Sequence, residues 1–232
     1  KRNISGRREK LTELKKLSGY IRHSIDQEGV SIWIAQREGR AKDGQDRTET
    51  ALLKMLALSK DKEQSFAQAI GELSIVPVSI SYEYDPCAGD KARELHAAEQ
   101  GLTYIKDEFE DLDTILKGLV EYKGRIQVNF GTPITQNYAT ADQLAAEIDR
   151  QIQNNYQLFP SNIMAWQMQG DRDSATFARL KQQWPDEDWL ESQIRFQSHL
   201  AAIPSIHRQI AIDAYAAPVN SQLAQQSQPQ GN

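Results

Sequence analysis

Apolar residues recur at helical spacing over Leu11, Leu14, Leu17, Ile21 and Ile25, which predicts an amphipathic helix over about residues 8–27. The pattern then changes. Residues 30–35 form a short apolar run with β-branched and aromatic members and predict a buried strand. It ends at a polar turn, Arg37-Glu38-Gly39-Arg40-Ala41-Lys42-Asp43-Gly44. Asp46 and Thr48 stand where an N-cap would, Asp46 with Glu49 mimics a capping box, and Leu52, Leu53 and Leu56 begin a helical stripe over about residues 48–59. A second helical segment, 62–72, precedes a strand over 74–84 in which Val78, Ile80 and Tyr82 alternate. Helices over 90–100 and 107–122 follow, the second with Leu112, Ile115, Leu116 and Leu119 on one side. A strand over 124–131, with Ile126, Val128 and Phe130 alternating, closes this half.

Helices alternating with strands predict an α/β fold, a mainly parallel sheet flanked by helices, over residues 1–140. From 141 to about 217 the pattern is helical, broken at Pro160, Gly170, Pro185 and Pro204, and predicts a helical C-terminal extension. Residues 218–232 are Gln, Ser, Pro, Gly and Asn with few apolar side chains, and predict a disordered tail.

The turn after the first strand carries the candidate chemistry. Its glycines let backbone N–H groups approach an anion, Arg40 and Lys42 neutralise charge, and a helix start adds the positive end of its dipole. The expected ligand carries phosphate. Here a family resemblance enters: Glu38-Gly39-Arg40-Ala41-Lys42-Asp43-Gly44 resembles the third block of the glycerolipid acyltransferases, Glu-Gly-Thr-Arg-Ser-Arg-x-Gly, one residue short and with Ala41 in place of Ser. Lys1-Arg2 with Arg7-Arg8 resembles the end of the second block, and Ile75-Val76-Pro77-Val78 the fourth. Gly131-Thr132-Pro133-Ile134 is similar to the segment closing the family's domain, and Leu158-Phe159-Pro160-Ser161-Asn162 to one in some bacterial members.

The resemblance implies transfer of a fatty acyl group from acyl-CoA or acyl carrier protein to glycerol 3-phosphate or its monoacyl product, without a cofactor. Arg2, Arg40 and Lys42 would hold the acceptor's phosphate, Glu38 and Gly39 would shape the loop, and Pro77 would shape an acyl groove. The family's base, a His with an Asp five positions on, is missing. Five positions after His23, His96, His199 and His207 come Glu28, Gly101, Pro204 and Ile212, so the block is expected upstream of Lys1 and all four His read as surface or packing residues.

Composition narrows this further. A net charge of -5 in 232 residues argues against a general nucleic-acid partner, and one Cys with four His makes a metal site unexpected. No apolar run approaches the roughly 20 residues of a membrane span, and the resemblance, with its water-insoluble acyl product, implies a cytoplasmic protein peripheral on the inner face of a membrane. Leu158-Phe159-Pro160 with Ile163, Met164 and Trp166 is the candidate lipid contact. Two rivals belong to other classes: a non-catalytic phosphate- or nucleotide-binding module, and a helical protein-interaction scaffold.

Overall fold

The computed structural model describes residues 6–39, 41–170 and 173–227. Arg2 lies outside them, as do Arg40 and the last five residues of the expected tail. The chain is 56% helix and 5% strand. It divides into two compact units, the first within Lys1–Arg40, Asp46–Val78 and Phe130–Ile152, the second within Ala41–Gln45, Ser79–Asn129 and Gln153–Asn232. The division therefore does not follow the expected boundary at residue 140.

The first unit is built from α1 (Arg7–Asp26), α2 (Thr50–Leu56), α3 (Phe66–Gly71) and most of α6 (Ala141–Asn154). Their apolar stripes meet in one core: Ile21 of α1, Leu53 and Leu56 of α2, Ala69 and Ile70 of α3, Leu144 and Ile148 of α6. Removing these side chains from water drives the assembly, and polar bonds fix its angles. The Ser18 hydroxyl donates to the Leu56 carbonyl at 2.9 Å, and Arg22 donates to the Ala69 carbonyl at 2.9 Å. A reciprocal capping box between Ser65 and Gln68 starts α3.

The second unit holds α4 (Ala88–Glu99), α5 (Glu110–Val120), α7 (Pro160–Met168), α8 (Ser174–Lys181), α9 (Trp189–Ala201) and α10 (Ser205–Gln226). At its centre is α7, with Ile163 and Ala165 fully buried. Pro160 suits the first turn, where its missing N–H is an orphan anyway. Asn162 does two jobs there: its Oδ1 accepts the Phe159 N–H at 2.9 Å, and its Nδ2 donates to the Tyr215 carbonyl of α10 at 2.9 Å. Asn162→Ala strands both groups in the interior and is expected to cost about 2 kcal/mol. Urea denaturation checks this as a lower midpoint at unchanged slope. The Leu158 to Trp166 cluster is thus core and not a lipid contact: Leu158, Phe159, Ile163, Met164 and Trp166 are all buried.

Helix α10 also overturns the expectation of a disordered tail from residue 218, since it runs through Pro218 to Gln226. Val219 is fully buried and Leu223 packs against the same core. The glutamines that suggested disorder are tied down, Gln222 Nε2 donating to the Gln153 and Tyr156 carbonyls at 2.9 and 2.7 Å.

The mainly parallel sheet is the larger correction. The only sheet among the described residues has two antiparallel strands, β1 (Val78–Tyr82) and β2 (Ile126–Phe130). Two helices, α4 and α5, separate them, and three reversals, an odd number, bring the chain back in the opposite direction. Residues 30–35 form no strand at all. Ile32 packs on the first core, but Trp33 stays 67% exposed, because no neighbouring strand offers the ladder that the apolar run implied.

Bonds from the Gly131 N–H to the Pro77 carbonyl (2.7 Å) and from the Glu83 N–H to the Arg125 carbonyl (2.9 Å) fix the strand register. Ile80 lies opposite Val128, and Tyr82 opposite Ile126. This apolar face is exposed, while Ser79, Ser81 and Glu83 point inward. Buried polar groups need partners, and most find one: Ser81 Oγ accepts the Gln157 N–H at 2.9 Å, and Glu83 meets Arg125. Arg125 Nη2 donates to Glu83 Oε1 at 2.6 Å and Nη1 to Glu187 Oε2 at 2.8 Å, with the guanidinium 4.3 Å from the Trp184 ring centre.

Candidate functional site

No strand precedes residues 36–39, and 36–39 and 41–45 fall in different units, so the expected strand-to-helix turn is not formed. In the first unit the Gln36 carbonyl accepts the Glu49 N–H at 3.0 Å. Glu38 and Gly39 are exposed, Gly39 in the left-handed region at φ 75° with open space around it. Ala41–Gln45 belongs to the second unit. There Asp43 Oδ1 accepts the Gln45 N–H at 3.1 Å, a local Asx turn, and the Lys42 ammonium is paired with Glu94 of α4.

Gly44 is the tightest point of the loop. Its φ is 70°, and a Cβ there would lie 1.9 Å from the Ala214 carbonyl oxygen of α10. Ala214 stands four residues before Pro218, whose nitrogen carries no hydrogen, so this carbonyl lacks its ordinary helical donor. The loop backbone packs onto that vacated carbonyl, and no side chain fits between them.

The helix start expected after the loop is weaker than its sequence suggests. The N-cap of α2 is Glu49, with no side-chain capping bond, and the helix has only seven residues. Thr48 serves another purpose: its N–H and hydroxyl both donate to Asp149 Oδ1 of α6, at 2.7 and 2.6 Å. Burial pushes the Asp149 carboxyl up, against those two bonds. No dipole contribution to an anion site is drawn from so short a helix.

Pro77 is buried at the entry to β1. It belongs to a stretch that runs beside Gly131-Thr132-Pro133-Ile134, with the Ile134 N–H donating to the Ile75 carbonyl at 2.8 Å. Two of the quoted segments are thus neighbours in the first unit. Opposite Gly131 a residue with an N–H could make two bonds, and Pro77 leaves one.

The histidines do not assemble a base. His23 Nε2 lies 3.7 Å from Glu28 Oε1 with both side chains exposed, and the rings of His96 and His207 sit 5.1 Å apart. His199 Nε2 bonds the Tyr215 hydroxyl at 2.9 Å, and burial lowers its pKa. Among the described residues no group of three or more His, Cys, Asp and Glu could hold a metal, and no helix is long and apolar enough to cross a membrane. A cavity of about 520 Å³ is lined by Tyr138, Gln143, Ala146, Glu147 and Arg150, but the Arg150 guanidinium is already bonded twice to Glu147, at 2.8 and 2.6 Å.

The chain matches no family model, no curated protein and no solved structure.

The residues quoted for the candidate site therefore divide: Glu38 and Gly39 lie in the first unit, Lys42 and Gly44 in the second, and Arg40 is outside the described residues. Two participants escaped the sequence. Glu94, the counter-ion of Lys42, lies 52 residues away and carries no local signal. The Gly44 contact had one, since Pro218 marks which carbonyl of its helix is left without a donor.

Proposed function

We propose that this chain is part of a glycerolipid acyltransferase and contributes the loop that holds the acceptor's phosphate. The supporting observation is Gly44: the second glycine of the motif is a position where both torsion and space admit only glycine, so the backbone next to Lys42 is fixed. Lys42 is matched by one carboxylate, Glu94, and a phosphate dianion would compete for the same ammonium. In the reaction the acceptor hydroxyl attacks the thioester carbonyl, the C–S bond breaks, and the thiol leaves with the proton that a His base has taken from the hydroxyl. That base would come from polypeptide outside these 232 residues. A peripheral location on the inner face of a membrane belongs to the same reading, because the acylated product is insoluble in water.

Arg40→Ala and Lys42→Ala, made in a longer polypeptide that carries the His and Asp block, are expected to raise the acceptor KM about tenfold or more. Lys42→Ala also removes the half-buried pair with Glu94, so denaturant midpoints measured beside the KM separate a binding loss from a stability loss. An unchanged KM in both variants removes the phosphate role.

The 232-residue chain itself is expected to be silent in acyl transfer, since a missing general base costs about 10²- to 10⁴-fold. Thioester turnover above a blank would contradict that. A non-catalytic phosphate-binding module is the rival reading, favoured by the absence of any His followed five residues later by Asp. It requires that the longer polypeptide also show no turnover while glycerol 3-phosphate still binds calorimetrically.

A further inference from the structure

Helix α5 packs by its polar side. Thr114 is buried, Lys117 pairs with Asp90 of α4 at 2.8 Å, and Glu110 accepts from the Tyr104 hydroxyl at 2.7 Å. The opposite face carries Leu112, Ile115, Leu116, Leu119 and Val120, which are 57–74% exposed. Asp111 and Asp113 border this crest, and Asp107 and Glu108 precede it, all four exposed. A contiguous apolar face of this kind marks an interaction surface, and its acidic border restricts what can cover it. A second α5 would bring like charge against like, and an anionic lipid surface would be repelled.

The chain carries a complementary surface elsewhere. In α1 the apolar stripe continues past the first unit's core: Ile21 is buried, but Leu11 and Leu17, earlier on the same stripe, are exposed. Arg7, Arg8, Lys10, Lys15 and Lys16 surround them, also exposed. On α1, Leu11 and Leu17 flank half-buried Leu14 at a spacing of three, and on α5 Leu112, Ile115, Leu116 and Leu119 follow at three to four, while the charges oppose.

We propose that α5 is the seat of α1 from a second copy of this chain. Neither surface belongs to the phosphate loop, so the acyltransferase reading can fail with the dimer intact, and the reverse. Sedimentation velocity on the full chain at micromolar concentration tests it. A dimer is expected at low salt, weakening as salt screens the charged borders.

Glu108→Lys with Asp113→Lys on α5, or Arg8→Glu with Lys10→Glu on α1, is expected to weaken self-association at least tenfold. All four positions are exposed, so circular dichroism should be unchanged. An equimolar mixture of the two variants restores opposite charge between α1 and α5 of unlike chains, and dimers should return. A monomer at every concentration, a dimer indifferent to both reversals, or a mixture that stays monomeric would overturn the proposal. So would a Leu116→Asp variant that loses binding to phosphatidylcholine vesicles while self-association is untouched.

Discussion

Gly44→Ala is expected to destabilise the chain by about 4 kcal/mol, far more than an added methyl group costs on a surface. A residue with a Cβ held in the left-handed region costs about 1–3 kcal/mol, and forcing an atom into a filled space about 1–3 more. The obstacle here is backbone: the Cβ would lie 1.9 Å from the Ala214 oxygen and 2.8 Å from its carbonyl carbon, and neither can rotate away. Gly39→Ala is the control. Its φ of 75° imposes a similar torsional strain, but nothing lies within 4 Å of the added atom, so only about 1 kcal/mol is expected. Denaturant midpoints for the two variants separate crowding from torsion. Equal losses would show that the approach to α10 is not what fixes the loop.

Arg125→Ala should cost about 3 kcal/mol, because it leaves a carboxylate without its counter-ion. The Glu83 side chain is 7% exposed and that of Glu187 13%, and both accept hydrogen bonds from the one guanidinium. Breaking one side of a buried pair costs about 3–5 kcal/mol. The lower end applies, since Arg125 itself is 39% exposed and water partly screens it. Arg125→Lys keeps the charge but not the fork, and should fall between wild type and the alanine variant.

Acid offers an independent check. Burial works to raise the Glu187 carboxyl, but hydrogen bonds from Arg125 and Ser192 outweigh it and hold the pKa below the usual range. A depressed carboxylate contributes stability that is complete above its unfolded pKa of about 4.3 and is lost as pH falls through the lower folded value. The wild type's advantage over Arg125→Ala should therefore shrink in that acidic window. An advantage that persists undiminished below it would remove Glu187 from the account.

The helices were legible because their evidence is local. The stripes Leu11 to Ile25 and Leu112 to Leu119 foretold α1 and α5 to within a few residues, and the alternation of Ile126, Val128 and Phe130 foretold β2. Periodicity says that a face is apolar, but not whether anything covers it. Hence α5 points its leucines outward, and the Leu158 to Trp166 cluster, which looked like a lipid contact, is core. The parallel sheet failed for a similar reason: strand direction depends on how many helices intervene, and pairing on a partner elsewhere in the chain.

Composition misled at the tail, where Gln222 and Gln225 bond Gln153 and Val219 fills the core. At the candidate site the sequence offered Arg2, Glu38, Gly39, Arg40, Lys42 and Pro77, of which Arg2 and Arg40 lie outside the described residues. Of these, the described loop retains Glu38, Gly39 and Lys42, while Pro77 lies in the edge of the sheet.

The inverted sheet has a consequence for folding. A one-residue slip between two strands exchanges their faces, and in an ordinary ribbon such a slip is penalised because it expels apolar side chains into water. In β1 the slip would do the opposite, turning Ile80 and Tyr82 inward and gaining hydrophobic burial. What opposes it is the polar inner face: Ser81 would lose the Gln157 N–H, and Glu83 its bonds from Arg125 and Ser161. Pairing here leans on polar partners and not on apolar burial, so Arg125→Ala is expected to make the shifted register more competitive than it is in the wild type.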